Sequence, residues 1–254
     1  MKRDDLKNGT FDTWAKIEKS RAADVKAKAK VVKIDDKAAT RQAIIVSLRK
    51  IGYNVKTRSE WRAAPPKVAL DPDWDYTKIA IHHAGNSFSC SAIGADEMRR
   101  AQSLEMDKGY DDVSYHYGVD CRGVIYEARD IRFKGAHINK GNTGVIGIVL
   151  LADLSEPGEA WEQEYKNKSL GARIGATADI VSDNNDSSTD TLRVVQMNSL
   201  YALVTSLSAH FRITICGGHR EYQNNATGEG RACPGTHGMT AVNLIRARFK
   251  LSKP

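Results

Sequence analysis

The run Val145–Leu151 (VIGIVLL) sets the strongest limit on what this chain can fold into. It is too short for a free-standing helix and shows no alternation of apolar and polar residues. Such a run fits a strand covered on both faces, and strands of that kind belong to sheets layered between helices. The rest of the sequence offers both layers. KIAIHH (Lys78–His83), VSYHYGV (Val113–Val119), GVIYEAR (Gly123–Arg129) and Ile213–Cys216 read as further strands, with Asp120–Gly123 a hairpin turn. Met98, Ala101, Leu104 and Glu105 recur at helical intervals before a stop at Gly109. Leu192, Val195, Leu200, Leu203, Val204, Leu207 and Phe211 form a broad apolar stripe on a helix expected over 190–211, and Val242–Phe249 reads as a closing helix. The expected fold is α/β, a mixed central sheet flanked by helices.

Residues 57–254 carry this pattern and are expected to form one domain, whereas 1–56 are charged and read as an N-terminal appendage. Within the appendage, Ala43 or Ile44, Leu48 and Ile51 recur at helical spacing, which predicts a helix. The polar stretch from Ala152 to Asp190 is longer than a structureless connection in a compact domain should be, so it is either partly ordered or functional.

With 38 Lys and Arg against 31 Asp and Glu, the net charge of +7 favours a polyanionic partner: nucleic acid, anionic lipid or a bacterial wall. No nucleic-acid motif accompanies the charge, so nucleic acid is not expected. No apolar stretch approaches the ~20 residues that a bilayer requires, so stable membrane insertion is not expected either. The N-terminal MKRDDLKNGTFDTWAKIEK lacks the apolar segment of a signal peptide. The expectation is synthesis in the cytoplasm and, for any action outside it, delivery by another route. Four scattered cysteines do not make a disulfide framework. Cys216 reads as a small core residue, and Cys90 and Cys121 are either free thiols or bonded to each other.

His82 at a strand end, together with His219 and Cys233 in GGHREYQNNATGEGRACPG, offers two imidazoles and a thiolate. These are good zinc ligands, and three of them leave the fourth tetrahedral position that a catalytic zinc site keeps open. The spacing alone is not a recognised zinc signature. Strand alternation turns His83 away from His82 and His116 away from Tyr115, leaving His116 as a packed, hydrogen-bonded residue.

TRSEWRAAPP (57–66), IAIHHAG (79–85), DVSYHYGVDCRGVIYEARD (112–130), GAHINKGNTGVIGIVL (135–150) and GHRE…RACPG (218–235) follow one another in an order that resembles the type 2 N-acetylmuramoyl-L-alanine amidase family. That family takes in short-tailed phage lysozymes, bacterial recycling amidases and animal peptidoglycan recognition proteins. The likeness runs from Thr57 to about Lys250. It implies that His82, His219 and Cys233 bind Zn²⁺, that Tyr115 stands beside the zinc water, and that Arg231 contacts the reacting carbonyl. His137 and Asn142, in GAHINKGN, are then expected to line the groove for the glycan and peptide. The implied activity is zinc-dependent hydrolysis of the bond between N-acetylmuramic acid and the L-alanine of the stem peptide in bacterial peptidoglycan.

Two departures accompany the likeness. Arginine stands at 231 where the family has lysine or threonine, and the gap between His219 and Cys233 is lengthened around QNNATGEG. The rival reading is a peptidoglycan-binding module that has lost catalysis. As an enzyme, the chain fits a phage endolysin or an injected antibacterial effector, the latter with an immunity protein or a secretion-machine component as partner.

Overall fold

A computed structural model describes residues 35–85, 88–166, 168, 171 and 189–254. Residues 37–254 form one compact unit. Along the chain run helix α1 (Asp36–Lys50), strands β1 (Val55–Lys56) and β2 (Lys78–His83), helix α2 (Gly94–Asp107), and strands β3 (Tyr117–Asp120), β4 (Ile125–Glu127) and β5 (Val145–Leu151). A π-helical turn, Trp161–Tyr165, precedes helix α3 (Val194–His210), strand β6 (Ile215–Gly218), and helices α4 (His219–Thr227) and α5 (Gly235–Phe249). The strands make one six-stranded sheet in the order β1-β4-β3-β5-β2-β6. Only β3 and β4 pair antiparallel, so the sheet is mixed, as expected.

All of β5 is buried, as its unbroken apolar run requires. Its side chains divide between the two faces. Ile146, Ile148 and Leu150 join Ile79 and Ile81 of β2 and Cys216 of β6 in the main core, closed by Ile44, Ile45 and Leu48 of α1, Leu200, Leu203, Val204 and Leu207 of α3, and Val242 and Ile245 of α5. On the opposite face Val149 and Leu151 pack with Met98 of α2 and with Trp61, whose indole N–H donates to the Glu127 carbonyl at 2.7 Å.

The compact unit begins earlier than the division expected at residue 56. Besides its three core residues, α1 sends the Arg41 guanidinium onto the buried Glu127 carboxylate of β4, with Nη2 to Oε2 at 2.6 Å, and β1 pairs with β4. Sequence reasoning separated 36–56 because α1 has only a narrow apolar stripe and β1 spans two residues. Residues 1–34 and most of 167–188 lie outside the described residues.

Candidate metal centre

The site grows from the edge of the sheet where parallel strands β2 and β6 both end, the place where open α/β sheets bind ligands. Ile81 pairs with Gly218 in register, so the next residue of each strand, His82 and His219, emerge side by side. His219 is also the first residue of α4. Glycine at 218 is required there, because a β-carbon would come within 2.5 Å of Met239 Sδ and 2.8 Å of Pro234 Cδ. Cys233 comes from the turn between α4 and α5, and its carbonyl accepts the Arg220 N–H at 2.9 Å, which bolts that turn to the first turn of α4. The Arg220 side chain holds Glu159 at 2.5 Å, and Glu159 accepts the Thr236 N–H at 2.9 Å.

One ligand atom from each of His82, His219 and Cys233 lies within 4.8 Å of the others. Cys233 Sγ is 3.6 Å from His82 Nδ1. Zinc bonds of ~2.3 Å to sulfur and ~2.1 Å to nitrogen at a tetrahedral angle would separate the two donors by about 3.6 Å. The donor set therefore fits a zinc ion in both chemistry and spacing. Burial, followed by the charges of His219 and His137, holds His82 well below the ordinary imidazole range, and burial lowers His219 to about 4. Both rings are neutral near pH 7, the form that ligates a metal. Burial pushes the Cys233 thiol up to about 12, against the pull of the His83 backbone and of Arg220. A bound cation reverses that preference, because a coordinating thiol is deprotonated.

With Nδ1 facing Cys233, the other nitrogen of His82, Nε2, meets His137 Nδ1 at 3.0 Å. The His137 ring fits only because two neighbours are glycines: a β-carbon on Gly135 or Gly147 would lie 2.5 Å from it. Asn142, expected to line a groove, spends its side chain on its own loop, accepting the N–H groups of His137 and Ile138 at 2.8 Å and donating to the Ile138 carbonyl at 2.7 Å. His116 is buried and bonded, accepting the Gly147 N–H at 3.0 Å and meeting the Phe133 carbonyl at 2.9 Å. His83 turns to the other side of β2, where Nδ1 accepts the Leu154 N–H at 3.1 Å.

Tyr115 places its ring 4.8 Å from that of His82. Burial, then the neighbouring Glu105 and Cys233, raises its phenol well above the ordinary value, so it is a hydrogen-bond donor and not a base. Arg231 pairs with Glu164 at 2.6 Å and Glu229 at 3.1 Å, while Glu221 is taken by Arg246. Tyr115, His137, Asn142, His219 and Arg231 line one hollow of about 360 Å³, together with Glu105. Beyond Arg231 a second, strongly charged hollow of about 690 Å³ opens toward Glu162, Glu164 and Lys166.

Sequence reasoning passed over two of these residues. Glu105 carried a signal, a carboxylate at an inward interval of an amphipathic helix. Glu164 carried none, lying in the polar stretch after Ala152. The residues around QNNATGEG, expected as a loop insertion, instead complete α4, which ends at a left-handed Gly228 (φ 74°). Cys90 and Cys121 are bonded to each other, and Cys216 is a buried free thiol.

The family model described as N-acetylmuramoyl-L-alanine amidase matches residues 73–236. Among curated proteins, Drosophila simulans peptidoglycan-recognition protein SD is 30% identical over 105 residues, which is 40% of this chain and 56% of that protein. Drosophila melanogaster peptidoglycan-recognition protein SC2 is 30% identical over 137 residues, 52% of this chain and 68% of the relative. The chain thus spans little more than half of the first of these relatives. Among solved structures, the Drosophila peptidoglycan recognition protein SD superposes with a TM-score of 0.56 at 19% identity, covering 79% of this chain and 97% of that one. The Clostridium intestinale endolysin amidase LysCS gives 0.54 at 16% identity, covering 78% and 97%.

Proposed function

Because the chain belongs to the N-acetylmuramoyl-L-alanine amidase family, we propose that it is a zinc-dependent peptidoglycan amidase that hydrolyses the bond between N-acetylmuramic acid and the L-alanine of the stem peptide. The observation that carries this reading is the convergence of His82, His219 and Cys233 on one point, with His219 also lining the adjacent hollow. A receptor that only binds the wall has no need of a thiol and two neutral imidazoles at that spacing. His82, His219 and Cys233 would hold the zinc ion, which would supply a Lewis acid for the scissile carbonyl and would lower the pKa of a water toward ~7. His137 fixes the orientation of the His82 ring, the task that a ligand histidine's outer partner performs in metal sites. Tyr115 donates a hydrogen bond toward the charge that develops on the carbonyl oxygen. Arg231, charged at every relevant pH, adds a cation on the side of His219 once the substrate competes with Glu164 and Glu229 for it. His137 and Asn142 act on the groove through the shape of their loop rather than by direct recognition.

The disulfide between Cys90 and Cys121 supports action in an oxidising compartment, because such bonds persist outside the cytoplasm and rarely within it. This suits a phage endolysin or an injected effector equally, with residues 1–34 as the segment for delivery or docking. The experiment is digestion of purified wall with the full chain, read by elemental analysis for zinc and by mass spectrometry of the products. The expected products are stem peptides with a free L-alanine amine and uncut glycan strands. Tight binding to the wall without released peptide would instead establish the recognition module, and products cut in the sugars would end the amidase reading.

A further inference from the structure

Amide hydrolysis moves two protons: one leaves the attacking water and one must reach the departing nitrogen, because an amine leaves far more readily than an amide anion. The cleft groups assigned above do not move a proton at neutral pH. The three metal-binding side chains act as ligands, the phenol of Tyr115 stays protonated, and Arg231 stays charged. Glu105 has no assigned task. It stands on the last turn of α2 and, with Tyr115, forms the partition between the 360 Å³ hollow that reaches His219 and Arg231 and a second hollow of about 240 Å³ walled by Ala84, Phe88, Ala101 and Leu104. Its Oε2 accepts the N–H of Ser114 at 2.6 Å, which fixes the carboxylate beside the residue that precedes Tyr115.

We propose that Glu105 is the acid–base residue of the cleft, accepting the proton of the attacking water and returning it to the stem-peptide nitrogen. This rests on the amidase reading. The balance is simple: the water oxygen bonds to the carbonyl carbon, the proton passes to the Glu105 carboxylate, the C–N bond breaks, and the proton leaves with the L-alanine amine. The carboxyl's surroundings suit both halves of the cycle. Burial raises its pKa, the Ser114 hydrogen bonds and the nearby Arg129 and Lys108 partly oppose the rise, and the balance stands at about 7. The other ionisable groups that line its hollow are the phenols of Tyr110 and Tyr115, the imidazoles of His137 and His219, and the cations of Lys140 and Arg231. The Arg129 guanidinium is itself occupied by the carbonyls of Val113, Lys134 and Asp112, so it tunes Glu105 without neutralising it. A group titrating near the working pH is the most effective proton carrier.

Glu105→Gln tests the assignment in the full chain loaded with zinc, since a glutamine oxygen still accepts the Ser114 N–H and only the proton cycle is removed. With a synthetic N-acetylmuramoyl-L-alanyl peptide as substrate, the parent's kcat/KM rises with pH through a limb near 7. The variant is expected to lose that limb and ~10²–10⁴-fold in kcat, with zinc content retained and the melting temperature not lowered, and Glu105→Asp is expected to restore a shifted limb. Carbon-13 titration of the Glu105 carboxyl gives a readout independent of turnover, with an expected midpoint near 7; a midpoint in the ordinary glutamate range of ~4.3 overturns the proposal. An active parent matched in rate and pH profile by Glu105→Gln also overturns it and leaves the amidase reading intact. A parent that binds zinc and cleaves nothing overturns the amidase reading itself, and the assignment falls with it.

Discussion

The two faces of the central sheet are built from the same strands on different principles. On one face Ile79, Ile81, Ile146, Ile148, Leu150 and Cys216 meet three helices and bury almost nothing but hydrocarbon. On the other the same strands present Ala80, His82, Gly147 and Val149, covered by α2, by Tyr222 of α4 and by a loop that turns both the His137 imidazole and the Ile138 side chain inward. One face makes the fold stable and the other spends packing to hold polar groups at fixed distances. Two cysteines mark the contrast, because Cys216 sits in the first and Cys233 opens onto the second.

The largest expected effect separates those two cysteines. Cys233→Ser should weaken zinc binding by more than ~10³-fold, about 4 kcal/mol, while Cys216→Ser leaves zinc affinity unchanged; equal zinc content in both at limiting metal would erase the distinction between the faces. Next is Leu203→Ala on α3, expected to lower stability by about 3 kcal/mol through the cavity it leaves, with unaltered zinc affinity in the folded fraction, measured by denaturant unfolding and chelator competition.

Arg231→Ala tests the polar face alone. Turnover should fall ~10²-fold with zinc and stability unchanged, Arg231→Lys should recover much of it, and parent-like kinetics would reduce Arg231 to a surface ion pair with Glu164 and Glu229. His137→Leu should weaken zinc binding by ~10–100-fold, and His137→Gln, which still offers an acceptor to His82, should do less damage. The smallest effect is a slope. The folded pKa of Glu105 lies near 7, above the ordinary 4.5, so the folded state holds the extra proton between those values and stability declines as pH rises through that window. The slope should be about 1 kcal/mol per pH unit between about pH 5 and 7, and Glu105→Gln should flatten it in thermal melts.

The apolar face was legible in the sequence because burial leaves a period: the run at β5, the stripe of α3 and the KIAIHH strand all stand where the pattern places them. The shifts came where a side chain and not a period sets the backbone. The strand expected from Val113 begins at Tyr117, since Ser114 is held by Glu105 and the Val113 carbonyl by Arg129. Helix α4 escaped notice because only Tyr222 and Gln223 are buried on it, too few to leave a stripe. In the site, family likeness singled out His82, Tyr115, His219, Arg231 and Cys233; the structure gathers His82, His219 and Cys233 within 4.8 Å of one another and sets Tyr115, His219 and Arg231 around one hollow. The same likeness placed His137 and Asn142 near the substrate, without the ring-to-ring contact that gives His137 a different task. No local pattern pairs residues 82 and 137, because their contact depends on the space that two distant glycines leave for the His137 ring.

That space is shared by Gly135 and Gly147, the second of them midway along the wholly buried strand β5. Any larger residue there would satisfy the strand's appetite for hydrophobic contact and evict the His137 ring. Position 147 therefore reverses the usual tolerance of a core: where neighbouring strand positions accept one aliphatic side chain for another, this one should refuse even a methyl group. Among this chain's descendants, loss of metal binding can begin with a conservative change at a residue that never touches the metal, so an inventory of reactive side chains alone would score such a descendant as intact.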